Sequence, residues 1–333
     1  MMLRCDRKCP AGGNRFVWVH AFSLLEVLVA TTVLALLLAI TLATFNQTIA
    51  TLGQASSKAS SFQTARTAFD LMSKTMSQAT LNTYLDYYDA NGVRRSAANA
   101  TNFIPDSYKR ASDLPFVIQQ NSNHGQSVVF AGQESRDASG GKQGTQGLLN
   151  LCSYAVQFGS DQSFRPSSYT GPVSYRYRLM QAVQPRDGGV KVFSNTGTNW
   201  ISGVTAKELP VAANVIALII WPRLSPLEDS DGTRLSTNYQ YDSLGGSALQ
   251  LAQLPPVLQV TMVVIDEASA NRLASGGTPP AVIETALSKN NRFHDVTKCD
   301  SDLQGLQDDL LTAGIKFELF STAIPIRESK WSD

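Results

Sequence analysis

The sequence predicts an α+β protein: a long N-terminal helix, transmembrane first and amphipathic stem second, packed on a large, mainly antiparallel β-sheet head. Three observations predict it. Residues 27–45 carry no charge and are dominated by Leu, Ala, Val and Ile. Residues 46–90 then place apolar side chains at steps of three and four, the period of a helix with one buried stripe. From about Asn91 onward, stretches of Gly, Ser, Asn and Gln separate short runs rich in β-branched and aromatic residues. The expected divisions are a basic leader over 1–21, a membrane helix over 22–45, a stem over 46–90 and a globular head over 91–333.

The apolar run of nineteen residues makes a helix of roughly 28 Å at its rise per residue, close to the ~30 Å of a hydrocarbon core. Arg4, Arg7, Lys8 and Arg15 precede it, whereas residues 46–65 hold only Lys58 as a basic residue. Basic residues stay on the cytoplasmic side, so the expectation is a single pass through the cytoplasmic (inner) membrane with an extracytoplasmic head. A secretory signal has a shorter apolar core, followed by its small-residue cleavage site. Here the small residue, Ala21, comes before the run. A cut after Ala21 frees the amino group of Phe22 and leaves the helix attached.

Such a cut bears on Glu26, which stands where lipid begins. A carboxylate in lipid is costly unless paired. The new ammonium of Phe22 on a neighbouring copy can supply the pair, and the first turn of a helix favours negative charge. The alternative is a simple anchor with Glu26 in the interfacial layer.

The segment "AFSLLEVLVA" resembles the prepilin peptidase recognition segment of type IV pilins and type II secretion pseudopilins. Ala21, Phe22 and Glu26 match its positions, although Gly is commoner than Ala before the cut. The resemblance implies cleavage between Ala21 and Phe22, N-methylation of Phe22, and a role for Phe22 and Glu26 in subunit assembly. It implies a type IV pilin-like fold, and as partners a prepilin peptidase, other pilin-like subunits and an inner-membrane assembly machinery. The strands "YRYRLMQAV" and "PPVLQVTMVVID" resemble those of J-type minor pseudopilins. More specifically, "LMSKTMSQATLNTYLDYYD", "VIALIIWPR", "YQYDS" and "IDEASA" resemble the Verru/Chthon cassette protein C family. The implied function is a minor structural subunit that enters, and through its bulk caps, a pilus-like or secretion filament. The alternative is a membrane-tethered module that binds cargo or a surface ligand.

In the stem, Phe62, Ala65, Phe69, Met72, Met76 and Ala79 form the stripe, with Arg66, Ser73, Lys74 and Gln78 opposite. The helix is expected to end by Asn91–Gly92. One helix from Phe22 to Tyr84 would measure roughly 95 Å, so a break or bend is expected near Gly53 or 56–61. In the head, "FVIQQ", "SVVFAG", "LLNLCSYAVQFG" and "VSYRYRLMQAV" read as strands, and "QESRDASGGKQGTQG" as a surface loop. Arg176 and Arg178 alternate with Tyr175, Tyr177 and Leu179, which predicts one packed and one wet face. "VAANVIALIIWPRL" reads as a buried strand stopped at Pro222. "PPVLQVTMVVIDEASANRLA" reads as a strand entering a helix capped by Asp266, and "IKFELFSTAIPIRESKW" as a closing strand.

Little in the chain points to chemistry. A net charge of +1 without a dense basic run excludes a nucleic-acid footprint. His124 and His294 are the histidines outside the leader and have no metal-ligand spacing. His294 adjoins Asp295, but strand neighbours point to opposite faces. Phosphate loops, dinucleotide fingerprints and GxSxG are missing from the sequence, so an enzyme is not expected. Cys152 and Cys299 are either a disulfide or two buried thiols. In "PLEDSDGT", Asp229, Asp231 and Thr233 resemble half a calcium loop, with an ordinary solvated turn as the alternative. No other cofactor is expected.

Overall fold

The computed structural model describes residues 23–121, 124–133, 149–184, 208–273 and 276–331. Ala21, Phe22 and nearly all of the expected loop over 133–147 lie outside them. The chain divides into two compact units, residues 1–55 and 56–333.

Helix α1 (Leu24–Met76) begins the described chain. Its helical backbone continues through Gly53 and 56–61, so the expected break is not an interruption of the helix. Within the second unit the stripe behaves as its spacing predicts. Ala65, Phe69, Met72, Met76 and the following Ala79 are buried, whereas Arg66 and Lys74 are exposed. The helix ends at Met76, well before Asn91. Residues 84–88, expected in the stem helix, instead form β1 (Tyr84–Tyr88), paired antiparallel with β2 (Ser107–Ala111). The period of two in Tyr-Leu-Asp-Tyr-Tyr prevails over helix propensity because its two faces meet different surroundings. Tyr84 and Asp86 face Arg94, whose guanidinium also reaches Asp113 at 3.2 Å. Asn82 accepts from the amides of Asp113 and Leu114 and closes the hairpin base.

The head holds two further sheets. The larger has the order β7-β6-β5-β4-β3-β9 and is antiparallel at every pairing. Its strands are β3 (Phe116–Gln120), β4 (Gln126–Gln133), β5 (Leu149–Ser160), β6 (Tyr175–Gln184), β7 (Leu209–Ala213) and the short β9 (Tyr241–Asp242). The smaller has the order β11-β10-β8, from β8 (Val215–Arg223), β10 (Val257–Ile265) and β11 (Phe317–Pro325). Phe116, Ile118, Phe130, Tyr154 and Leu179 on one face of the large sheet share a core with the stem stripe and the small sheet. Val117, Val129, Leu151 and Ala182, on the other face, form a second cluster with Leu114.

Two strand boundaries differ from the sequence reading. Asn214, at φ 65°, separates β7 from β8, where one strand was expected; Asn tolerates this left-handed conformation better than most residues. Pro222 lies inside β8, opposite Leu258, rather than stopping it. β8 is the outer strand of its sheet, so the missing N–H leaves no ladder partner unpaired.

The segment after β10 is helical. Asp266 accepts a 2.9 Å hydrogen bond from the amide of Ser269 and caps α2 (Glu267–Leu273), as expected. Two helices the sequence did not disclose follow, α3 (Ala281–Ser288) and α4 (Cys299–Thr312). α4 is acidic outside, with Asp300 at its start, and buries Leu306 and Leu310 against the core.

The β6 arginines correct the expected wet face. Arg178 is 7% exposed and donates to the carbonyl of Gly159 at 2.6 Å; burial lowers its pKa. Arg176 pairs with Glu267 and donates to Asn271 at 2.7 Å. Burial raises the Glu267 pKa, but the hydrogen bonds from Arg176 and Asn214 outweigh it and hold the carboxyl below its usual range. Asp113 behaves alike: burial raises it, while Tyr84, Arg94 and Asn82 lower it further. A carboxyl depressed in the folded state contributes stability above its unfolded pKa and loses it as pH falls through the folded value. The urea midpoint of the head is therefore expected to hold from about pH 7 to about pH 5 and to fall below about pH 4. A midpoint that rises on acidification contradicts this.

Candidate functional site: the amino-terminal anchor

The first unit is built around residues Leu24–Gly53 of α1, thirty residues whose most apolar stretch of eighteen has a mean hydropathy of 2.5 and is not buried in the protein. By length and composition this helix can cross a membrane. Its threonine hydroxyls are satisfied locally. Thr31, Thr32, Thr41 and Thr44 donate to backbone carbonyls three or four residues back, at 2.8–3.0 Å. The hydroxyls thus add no unsatisfied donor to an apolar surface.

The start of the helix is defined by Ser23. Its carbonyl accepts from the amides of Glu26 and Val27 at 3.0 and 3.2 Å, and its Oγ lies 3.2 Å from the Glu26 amide. Glu26 therefore sits in the first turn, where unsatisfied backbone N–H groups and the helix dipole favour a negative charge. It is exposed, and among the described residues no cation pairs with it. No further charge follows until Lys58. The arrangement is one carboxylate at the mouth of a long apolar rod. Ala21 and Phe22, which complete the expected motif, precede the described residues.

The other candidates are structural. Asp229 is buried and accepts the amides of Gly232 and Arg234, each at 3.0 Å, one on each carboxylate oxygen. Asp231 accepts from the hydroxyl of Ser230. Of the expected half calcium loop, Asp229, Asp231 and Thr233, the first thus has both carboxylate oxygens engaged by backbone amides. Among the described residues, no group of three acidic, His or Cys side chains could hold a metal. Gly232 is required there: a Cβ would come within 2.4 Å of the Trp221 ring.

Cys152 and Cys299 are two separate buried thiols, not a bridge. Cys152 lies on β5 and Cys299 opens α4, where its thiol meets the hydroxyl of Tyr239. Burial raises the Cys299 pKa, which suits packing rather than nucleophilic chemistry. His294 turns onto the carbonyl of Arg292 at 2.8 Å.

Sequence reasoning gave no role to His124, which the structure places in a cluster. Its Nε2 lies 3.4 Å from Glu284, its Nδ1 3.2 Å from the carbonyl of Ile216, and its ring packs edge-on to Tyr177. The Tyr177 hydroxyl donates to Glu284 at 2.8 Å, and burial first, then Glu284, push its pKa up. The beside-lying hollow, lined by Tyr177 and Ile283, has room for about 10 Å³. That is too small for a substrate, so the cluster ties α3 to the sheet. Sequence spacing gives no signal of this, because the three residues come from distant segments.

Comparison with family models, with curated proteins and with solved structures yields no match.

Proposed function

We propose that the chain is a processed, membrane-anchored, pilin-like subunit of a type IV pilus-like or secretion filament. The observation that carries this reading is Glu26: a single carboxylate in the first turn of an exposed apolar helix, the fifth residue after the Ala21–Phe22 junction. A prepilin peptidase removes residues 1–21 on the cytoplasmic side. The released ammonium of Phe22 then neutralises Glu26 of the adjoining subunit, while the apolar helices pack side by side. An α+β head on an amphipathic stem supports the same reading. The bulk of this head fits a minor or capping position better than regular stacking along a shaft.

Chemical sequencing of the mature chain from its native membrane tests the first step. The expected first residue is Phe22, carrying an N-methyl group. A mature chain that keeps residues 1–21 contradicts the proposal.

A further inference from the structure

We propose that Ser23 is a positioning residue for leader removal: it stops helix α1 short of the Ala21–Phe22 bond and so leaves that bond open to hydrolysis. This role presupposes the processing step proposed above. Helix α1 starts at Leu24, and Ser23 stands just outside it. The Oγ of Ser23 accepts the amide of Glu26 at 3.2 Å, and its carbonyl accepts the amides of Glu26 and Val27. Glu26 is the third helical residue, so Ser23 makes the contacts of an N-cap. Ser23 and Glu26 also have the spacing of a capping box.

The residues upstream make such a stop necessary. The run "RFVWVHAF" over 15–22 contains no Ser, Thr, Asp, Asn, Gly or Pro. It therefore offers no residue that favours a helix start, and the next one upstream is Asn14. Without Ser23, nothing in the sequence keeps the apolar helix from growing back through Phe22 and Ala21. Cleavage joins the oxygen of water to the carbonyl carbon of Ala21, breaks the C–N bond and leaves the proton on the new amine of Phe22. Inside a helix the groups of that peptide bond would be tied to the turns before and after it, so the turn would have to open first. When opening is fast relative to cleavage, the rate follows the population of the open form. Glycine serves almost as well as serine at an N-cap, whereas alanine serves poorly. The stop can thus be separated from the hydroxyl that makes it.

The test follows release of residues 1–21 from the full chain in membranes that contain a prepilin peptidase. Ser23→Ala is expected to be cut about fivefold more slowly than the wild type. Ser23→Gly and Ser23→Asn, which keep the stop, should be cut within about twofold of the wild-type rate. Amide hydrogen exchange of the uncut chains in detergent micelles, without the peptidase, reads the helix start itself. There the Phe22 amide should exchange about fivefold more slowly in Ser23→Ala than in the wild type. Cleavage of Ser23→Ala at the wild-type rate, or Phe22 exchange that Ser23→Ala leaves unchanged, overturns the proposal. So does an equal slowing in Ser23→Gly, which would mark a contact of the hydroxyl with the peptidase instead. A wild-type chain that is never cut overturns the processing step and this role with it, whereas a missing effect of Ser23→Ala alone leaves the processing step standing.

Discussion

Gly125→Ala is expected to destabilise the head by about 3–5 kcal/mol, through backbone strain and an unavoidable clash. Gly125 has φ +87°, and a Cβ there would sit 2.1 Å from the carbonyl oxygen of Leu218 and 2.7 Å from its carbon. Neither atom can move aside, because Leu218 is mid-strand in β8 and is bridged to Gly125. The consequence is wider than one turn. Residues 124–126 fasten the large sheet to the small one. The carbonyl of His124 accepts the amide of Leu218 at 2.9 Å. The fully buried side chain of Gln126 accepts from the Ile220 amide at 2.9 Å and donates to the carbonyl of Phe293 at 3.2 Å. Displacing β8 by the width of a methyl group breaks these bonds and leaves buried polar groups unpaired. With a net stability of about 5–15 kcal/mol for a typical domain, such a loss removes much of the margin. Gly159→Ala is the control, since nothing lies within 4 Å of the Cβ it would add. Urea unfolding should separate the two variants; equal midpoints would show that the sheets are not held together through Gly125.

The parts of this fold that were legible in the sequence are those in which burial follows a local period. "FVIQQ" coincides with β3, and the strand-to-helix passage at Asp266 is reproduced with its cap. The stem stripe through Phe69, Met72 and Met76 is buried as its spacing requires. The misreadings occur where a distant segment decides. Arg178 looks like a wet-face residue until the carbonyls of Gly159 and Ser174 are brought to it. Tyr84–Tyr88 reads as a helix until Arg94 and Asp113 give one of its faces a polar partner. α4 is hidden by Asp300, Asp302, Asp308 and Asp309, which dilute its apolar stripe. In the amino-terminal helix, Glu26 and the apolar run were readable from composition alone, because a helix long and apolar enough to cross a membrane needs no tertiary partner to declare itself.

Glu26→Gln is expected to have the largest functional effect. Glutamine keeps the size and helix propensity of glutamate but cannot neutralise an ammonium. In an apolar assembly the unpaired amine of the neighbouring Phe22 costs several kcal/mol, enough to lower incorporation by about a hundredfold or more. Cleavage and insertion should continue, because the Ala21–Phe22 junction and the apolar helix are unchanged. The variant should therefore accumulate as a processed monomer in the membrane. In a simple anchor, by contrast, Glu26 lies among lipid headgroups and its charge is dispensable.

The most direct measurement of this difference is zero-length crosslinking in native membranes, joining the amine of Phe22 in one subunit to the carboxyl of Glu26 in the next. The account predicts a crosslinked ladder that disappears in Glu26→Gln. A chain that stays monomeric under the crosslinker, or a Glu26→Gln variant that enters the filament at the wild-type level, would contradict it.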